Sequence, residues 1–245
     1  MYKKINFLQI NASDLRWGAS IAGYRFHKGL LKQGYGSRII CALKESTDEE
    51  VSSIIPGRFG YIPNALCGKF FNFLGFQSFG YPSSFFLKNS PWIKRWADVL
   101  ILRNLHWWYF SISILPWLSK QIPLIWRIPD MWPITGKCIY PYECERWQQS
   151  CGRCPHLREY PGLVFDTSSF LLKRKERIYN NIRENLILVS PSRWLKDKIE
   201  RSPLTKGLNC EVIASAVEQD LFKPGDKESC RRSLGFEQGE KVIML

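Results

Sequence analysis

Residues 5–42 read INFLQINASDLRWGASIAGYRFHKGLLKQGYGSRIICA. Ile5 to Ile10 predicts a first strand, and the polar run Asn11 to Trp17 predicts a loop. Gly18 then opens a helical pattern with Ala22, Phe26 and Leu30 at i, i+4 and i+8, closed by Gly34. Ser37 to Ala42 is short, apolar and partly β-branched, which predicts a second strand. Strand, helix and strand in that span make one βαβ unit. This unit decides the fold class, because a crossover helix forces its two strands to run parallel.

The rest of the chain repeats the alternation. The charged stretch 44–58 reads as a loop and 63–76 as a Phe-rich helix. Residues 98–102 form a buried-type strand, 109–118 a helix and 123–128 another buried-type strand. From 130 to 165 the periodicity vanishes and Pro, Gly, Cys and aromatic residues dominate, so this segment is an insertion between ordinary elements. Helix returns over 166–183, with Thr167 or Ser168 as its cap. A strand at 185–189 leads to a helix that Ser190 caps and Pro191 opens. A strand at 210–214, a short helix at 228–234 and a strand from Lys241 to Leu245 complete the reading. The expected fold is α/β, a Rossmann-like, mostly parallel sheet with helices on both faces. The expected organisation is one domain over 1–225, with a Cys-rich insertion at 130–165, and the start of a second over 226–245.

Composition narrows the function. The apolar fraction of 45% against 23% charged residues belongs to a folded chain, not a disordered one. The net charge of +13 attracts anions, whether nucleotide sugars, phospholipid surfaces or nucleic acid. Lys and Arg are dispersed along the chain, which disfavours a nucleic-acid binder. Residues 5–10 are too short and polar for a secretory signal core. The apolar stretch 97–126 is broken by Arg103, His106, Pro116, Lys120 and Pro123, so a spanning helix is not expected. A cytoplasmic protein with peripheral contact at the inner membrane face is the expectation.

Three loops would meet on one sheet edge. The first βα loop places Gly18 and Ala19 at a helix N-terminus, where free backbone N–H groups favour phosphate or carboxylate. A single glycine there is not the dinucleotide fingerprint, and a plain turn is the competing reading. His106 follows the strand ending at Leu102, and Asp130 follows the next strand. A histidine there binds a hydroxyl or phosphate, transfers a proton, or bonds within the fold. Asp130 holds sugar hydroxyls or caps the insertion. Among eight cysteines, Cys138, Cys144, Cys151 and Cys154 lie within seventeen residues. Four thiolates suit a structural zinc, although the first pair is spaced more widely than usual. Buried reduced thiols and disulfides are the other readings. No open position suggests a catalytic metal.

These pieces resemble glycosyltransferase family 4, the retaining GT-B enzymes, in the branch serving exopolysaccharide and lipopolysaccharide synthesis. The glycine loop and arginine-containing helix correspond to Trp17-Gly18-Ala19-Ser20 through Arg25-Phe26-His27, and the family's LHW to Leu105-His106-Trp107. The HDMWPFTGGC segment corresponds to Pro129-Asp130-Met131-Trp132-Pro133-Ile134-Thr135-Gly136-Lys137-Cys138. Cys144-Glu145-Arg146-Trp147 and Cys151-Gly152-Arg153-Cys154-Pro155 match its cysteine run. Ser190 to Leu195 and Phe222-Lys223-Pro224 match SPSxWL and F-x-P. The resemblance implies transfer of a sugar from a nucleotide donor to a saccharide or lipid-linked acceptor, with no metal or other cofactor in catalysis. Gly18, Ala19, His106 and Asp130 would then lie on the acceptor side. Pro129 stands where the family's transfer-site histidine is usual, so no catalytic residue is assigned. A GT-B enzyme also needs a second Rossmann domain for the donor. Residues 241–245 look like its first strand, expected to fray or pack opportunistically without the rest. A non-catalytic remnant or acceptor-binding module is the alternative, and a zinc-containing nucleic-acid binder a third.

Overall fold

The computed structural model describes residues 4–57, 61–237 and 239–243. Its centre is a seven-stranded sheet. The strands are β1 (Asn6–Ser13), β2 (Gly36–Leu43), β3 (Val51–Ser53), β4 (Val99–Leu102), β5 (Leu124–Arg127), β6 (Leu186–Ser190) and β7 (Cys210–Val212). They lie in the order β3-β2-β1-β4-β5-β6-β7, and every neighbouring pair is parallel. The Rossmann-like α/β expectation is met, and the sheet is wholly parallel. Strand order reverses between β1 and β4, and a doubly wound sheet opens a crevice at that point, beyond the carboxyl ends of its strands.

The two faces differ chemically. Leu8, Ile10 and Ala12 of β1 join one large apolar core with residues of α4 (Leu115–Gln121), α5 (Ser168–Asn180) and α6 (Arg193–Arg201). The alternate β1 side chains Gln9, Asn11 and Ser13 are buried on the opposite face, beneath α1 (Gly18–Lys32). There the apolar cluster shrinks to Ile39, Cys41 and Val51, packed by Tyr24 of α1. The expected α1 stripe of Ala22, Phe26 and Leu30 is therefore rotated. Ser20, Gly23, His27 and Leu30 are buried, while Phe26 is exposed. A polar sheet face selects small and polar helix residues, so apolar periodicity alone misplaces the contact.

Other elements shift for identifiable reasons. The 44–58 stretch contains β3, whose three residues are too few to show a period. The helix expected over 109–118 is instead a 3-10 turn at Ile112–Ile114 followed by α4, with Pro116 in its first turn. The Phe-rich helix is α2 (Tyr61–Phe73), and α3 (Ser83–Asn89) and a π turn at Trp92–Trp96 follow it. Ser190 does not cap the next helix, because it ends β6; Ser192 does, its Oγ accepting from Leu195 N at 3.2 Å. Neither Thr167 nor Ser168 caps α5 with its side chain. Asp166 does so instead, Oδ1 accepting from Ser168 N at 3.1 Å. Replacing Ser192 by Ala is expected to cost about 1 kcal/mol, read as a lower urea midpoint at unchanged slope.

The chain divides into two compact units, Met1–Ser215 and Ala216–Leu245, earlier than the boundary read from the sequence. The second contains α7 (Lys227–Ser233), capped by Asp226. Residues 241–243 form no strand, and 244–245 lie outside the described residues. No helix among the described residues is long and apolar enough to cross a membrane.

Candidate functional site

The β1–α1 loop is pinned from below. Asp14 is buried, and its carboxylate accepts from the Leu15, Glu45 and Ser46 amides, each at 2.9 Å. Burial pushes its pKa up, but the hydrogen bonds outweigh that and leave it below the usual carboxylate value. Ser13 Oγ accepts from Arg16 N at 3.0 Å. The loop thus delivers Trp17 to the rim with φ +67°, a region an L-residue adopts only when its surroundings over-determine it. Its indole meets that of Trp107 edge to face, with centroids 5.1 Å apart.

The β4 and β5 loops converge beside it. His106 Nε2 and Asp130 Oδ2 are 3.0 Å apart, and Asp130 Oδ1 accepts from Trp132 N at 2.8 Å. The second bond fixes the carboxylate, and the carboxylate fixes the imidazole. With Nε2–H donating to Asp130, Nδ1 is the free acceptor, and the Tyr160 hydroxyl donates to it at 3.3 Å. Burial first, and then the Asp130 charge, raise the Tyr160 pKa, so this phenol stays protonated as a donor. Trp17, Asn104, His106, Trp107 and Tyr160 enclose a cavity of about 280 Å³. Flat aromatic walls with a few convergent hydrogen-bonding groups suit an amphipathic ligand of sugar size.

The structure therefore places His106 and Asp130 in contact, while Gly18 and Ala19 face a second cavity of about 180 Å³, which Pro129 also lines. Tyr160 was missed in the sequence because it lies in the aperiodic insertion, with no regular element to aim it. Arg103 and Arg127 also line this second cavity and were not singled out in the sequence. Their signal was position, since each sits at the carboxyl end of a central strand.

The cysteines gather as well. Cys138, Cys144, Cys151 and Cys154 all line one small cavity of about 20 Å³. All four are free thiols. The proximity of the Cys138 and Cys154 thiols lowers the pKa of Cys154 below the ordinary thiol value and raises that of Cys138. Among the described residues no group of three or more His, Cys, Asp or Glu is placed to hold a metal ion. The zinc expectation thus gains no support from the structure.

Buried lysines organise the insertion instead. Lys175 Nζ donates to the carbonyls of Trp132 (2.5 Å), Thr135 (2.8 Å) and Gly136 (3.4 Å). It also sits 3.8 Å from the Trp132 ring centroid. Lys137 Nζ donates to the carbonyls of His156 at 2.7 Å and Glu159 at 2.9 Å. Neither lysine was singled out in the sequence, where a lysine reads as surface by default.

A wholly parallel sheet whose strand order reverses at β1 defines a Rossmann-like α/β domain. No family model matches the chain. It is 26% identical over 234 residues to WcaC of Escherichia coli (strain K12), named as a glycosyl transferase of colanic acid biosynthesis. The match covers 87% of this chain and 55% of WcaC, so the chain spans about half the length of the curated relative it matches.

Proposed function

We propose that this chain is the acceptor-side half of a retaining GT-B glycosyltransferase. It acts on a nucleotide-linked sugar and a saccharide or lipid-linked acceptor in cell-surface polysaccharide synthesis. The observation that carries the reading is the hydrogen-bonded series Asp130–His106–Tyr160 beside the Trp17–Trp107 pair at the switch point. Similarity to a protein named for glycosyl transfer supports it. The apolar face of a pyranose ring packs on the indoles. A sugar hydroxyl that displaces the Tyr160 hydroxyl donates to His106 Nδ1, and Asp130 stabilises the imidazolium formed if that proton moves. A cytoplasmic location at the inner membrane face accords with this reading. Leu66, Phe70 and Phe73 of α2 are exposed and apolar, and the net charge of +13 favours anionic lipid.

The test is transfer of radiolabelled sugar by the purified chain, from UDP- and GDP-sugars to a polyprenyl-diphosphate saccharide, with saccharide binding measured in parallel by calorimetry. Transfer supports the whole reading. Saccharide binding without transfer reduces it to an acceptor-binding module. Absence of both overturns it.

A further inference from the structure

The aperiodic insertion gathers a second set of aromatic rings, outside the rim cavity. Trp194 stands in the first turn of α6, just past the carboxyl end of β6. The Tyr140 ring packs against it, nearly parallel at 26°, with centroids 6.2 Å apart. Tyr142 stands at 82° to Tyr140, 5.1 Å away, and His156 continues the row 4.9 Å from Tyr142. The rings touch one another, yet Tyr140, Tyr142 and Trp194 are 52%, 58% and 49% exposed. Rings that only fill a core are covered, whereas a contiguous exposed set marks a contact surface. Tyr142 also has φ +49°, a left-handed conformation costly for a bulky residue and of the kind that clusters at binding sites. A long stretch without regular structure inside a compact domain is commonly a binding loop.

The row is continuous with the rim cavity. Glu159 N donates to His156 O at 3.2 Å and closes a turn, and Lys137 Nζ holds the carbonyls of both residues. One end of this turn sets His156 against Tyr142. The other sets Tyr160 against His106, with ring centroids 5.8 Å apart. Polar groups flank the row: the Glu159 carboxylate lies 2.9 Å from His156 Nδ1, and Lys198 Nζ lies 5.8 Å from the Trp194 ring centroid.

Charge selects among the ligands that stack on aromatic rings. The chain as a whole carries +13, but residues 138–160 hold three glutamates and three arginines. A balanced segment offers a phosphate backbone or an anionic lipid little electrostatic gain. A saccharide chain needs none, because its apolar C–H faces rest on the rings and its hydroxyls bond to the polar side chains beside them.

We propose that Trp194, Tyr140, Tyr142 and His156 form an extended saccharide track, which holds the units of an oligosaccharide beyond the one seated in the rim cavity. The inference rests on the reading of that cavity as a sugar site and deepens it: the ligand is a chain of several sugars. The ring spacings of 4.9, 5.1 and 6.2 Å are comparable with the length of a pyranose unit, so successive units meet successive rings.

Calorimetry of the full chain tests the track, with size-fractionated oligosaccharides from partial acid hydrolysis of glucose- and galactose-containing bacterial exopolysaccharides. Long fractions are expected to bind about tenfold more tightly than mono- and disaccharides, or better. Trp194→Ala and Tyr140→Ala are each expected to weaken the long fractions by about tenfold and to leave mono- and disaccharide affinity unchanged. Trp194→Phe and Tyr140→Phe keep a ring at each position and are expected to keep most of the gain. Both rings are half exposed, so the melting temperatures of all four variants should match wild type. Equal affinity for long and short fractions, or alanine variants that bind long fractions as wild type does, overturns the track and leaves the cavity reading standing. Long-fraction binding that survives Trp107→Ala but falls with Trp194→Ala supports the track and removes the cavity. Single-stranded RNA that binds in place of saccharide, and is lost in the same alanine variants, overturns the track in favour of a nucleic acid. Absence of saccharide binding at any length overturns both.

Discussion

Methionine in place of Lys175 is expected to lower the stability of the chain by about 3 kcal/mol, a fall in Tm of roughly 6–12 °C for a domain of this size. Met keeps most of the volume and removes only the ammonium. The carbonyls of Trp132, Thr135 and Gly136 then lose their shared donor inside a segment that has no ladder to re-pair them. A buried charge is not favourable in itself, so loss of the charge returns part of the desolvation cost. The carbonyls remain, however, and although that of Trp132 keeps the Thr135 amide as a donor at 3.4 Å, unsatisfied buried acceptors cost about 1–3 kcal/mol each. Thermal melting monitored by circular dichroism reads the effect, and an unchanged Tm would show that the insertion is anchored elsewhere.

The same lysine carries a pH signature. Burial is the main cause that pushes its pKa down to about 7, against an ordinary value of 10.5. Between these values the unfolded chain binds more protons than the folded one, so this group's contribution to stability rises with pH from about 7 to about 10.5. The wild type is therefore expected to gain on Lys175→Met as the pH is raised from 7 to 10. The difference between their urea midpoints isolates the lysine from the cysteines and tyrosines that titrate nearby. A difference that stays flat across this range would count against a neutralised amine.

On the proposed reading, His106→Ala is expected to reduce sugar transfer by ~100-fold or more, the usual contribution of a positioned proton-transfer group. Asp130→Asn keeps the shape but removes the charge that stabilises an imidazolium, and a smaller loss in the same direction is expected. Neither change removes apolar core area, since both side chains sit at the rim. Melting temperatures should stay within a few degrees of wild type. Initial rates at saturating donor, paired with melting curves, separate the two effects. A His106→Ala variant with full activity would remove this histidine from the reaction.

Much of the architecture was legible in local pattern. The βαβ unit over 5–42, the buried-type strands and the aperiodic insertion follow from spacing within short windows. A wholly parallel sheet follows from strands that alternate with helices. Position on the rim was legible too, because a residue just past a parallel strand must lie at its carboxyl edge. That is why His106 and Asp130 were candidates before their contact was seen.

Pairing across distance was not legible. Tyr160 reaches His106 from fifty-four positions away in the chain, out of a segment without regular secondary structure. Lys175 and Lys137 are buried donors, yet nothing in their neighbours distinguishes them from solvated lysines. The polarity of the α1 face arises because Gln9, Asn11 and Arg103 meet beneath Gly23. Sequence alone determined which residues form strands and helices, and so which loops share an edge, because period and turn chemistry act over a few residues. Only the tertiary structure decided which lysines are buried donors and which face of α1 turns inward, because those depend on what lies across a gap from each side chain.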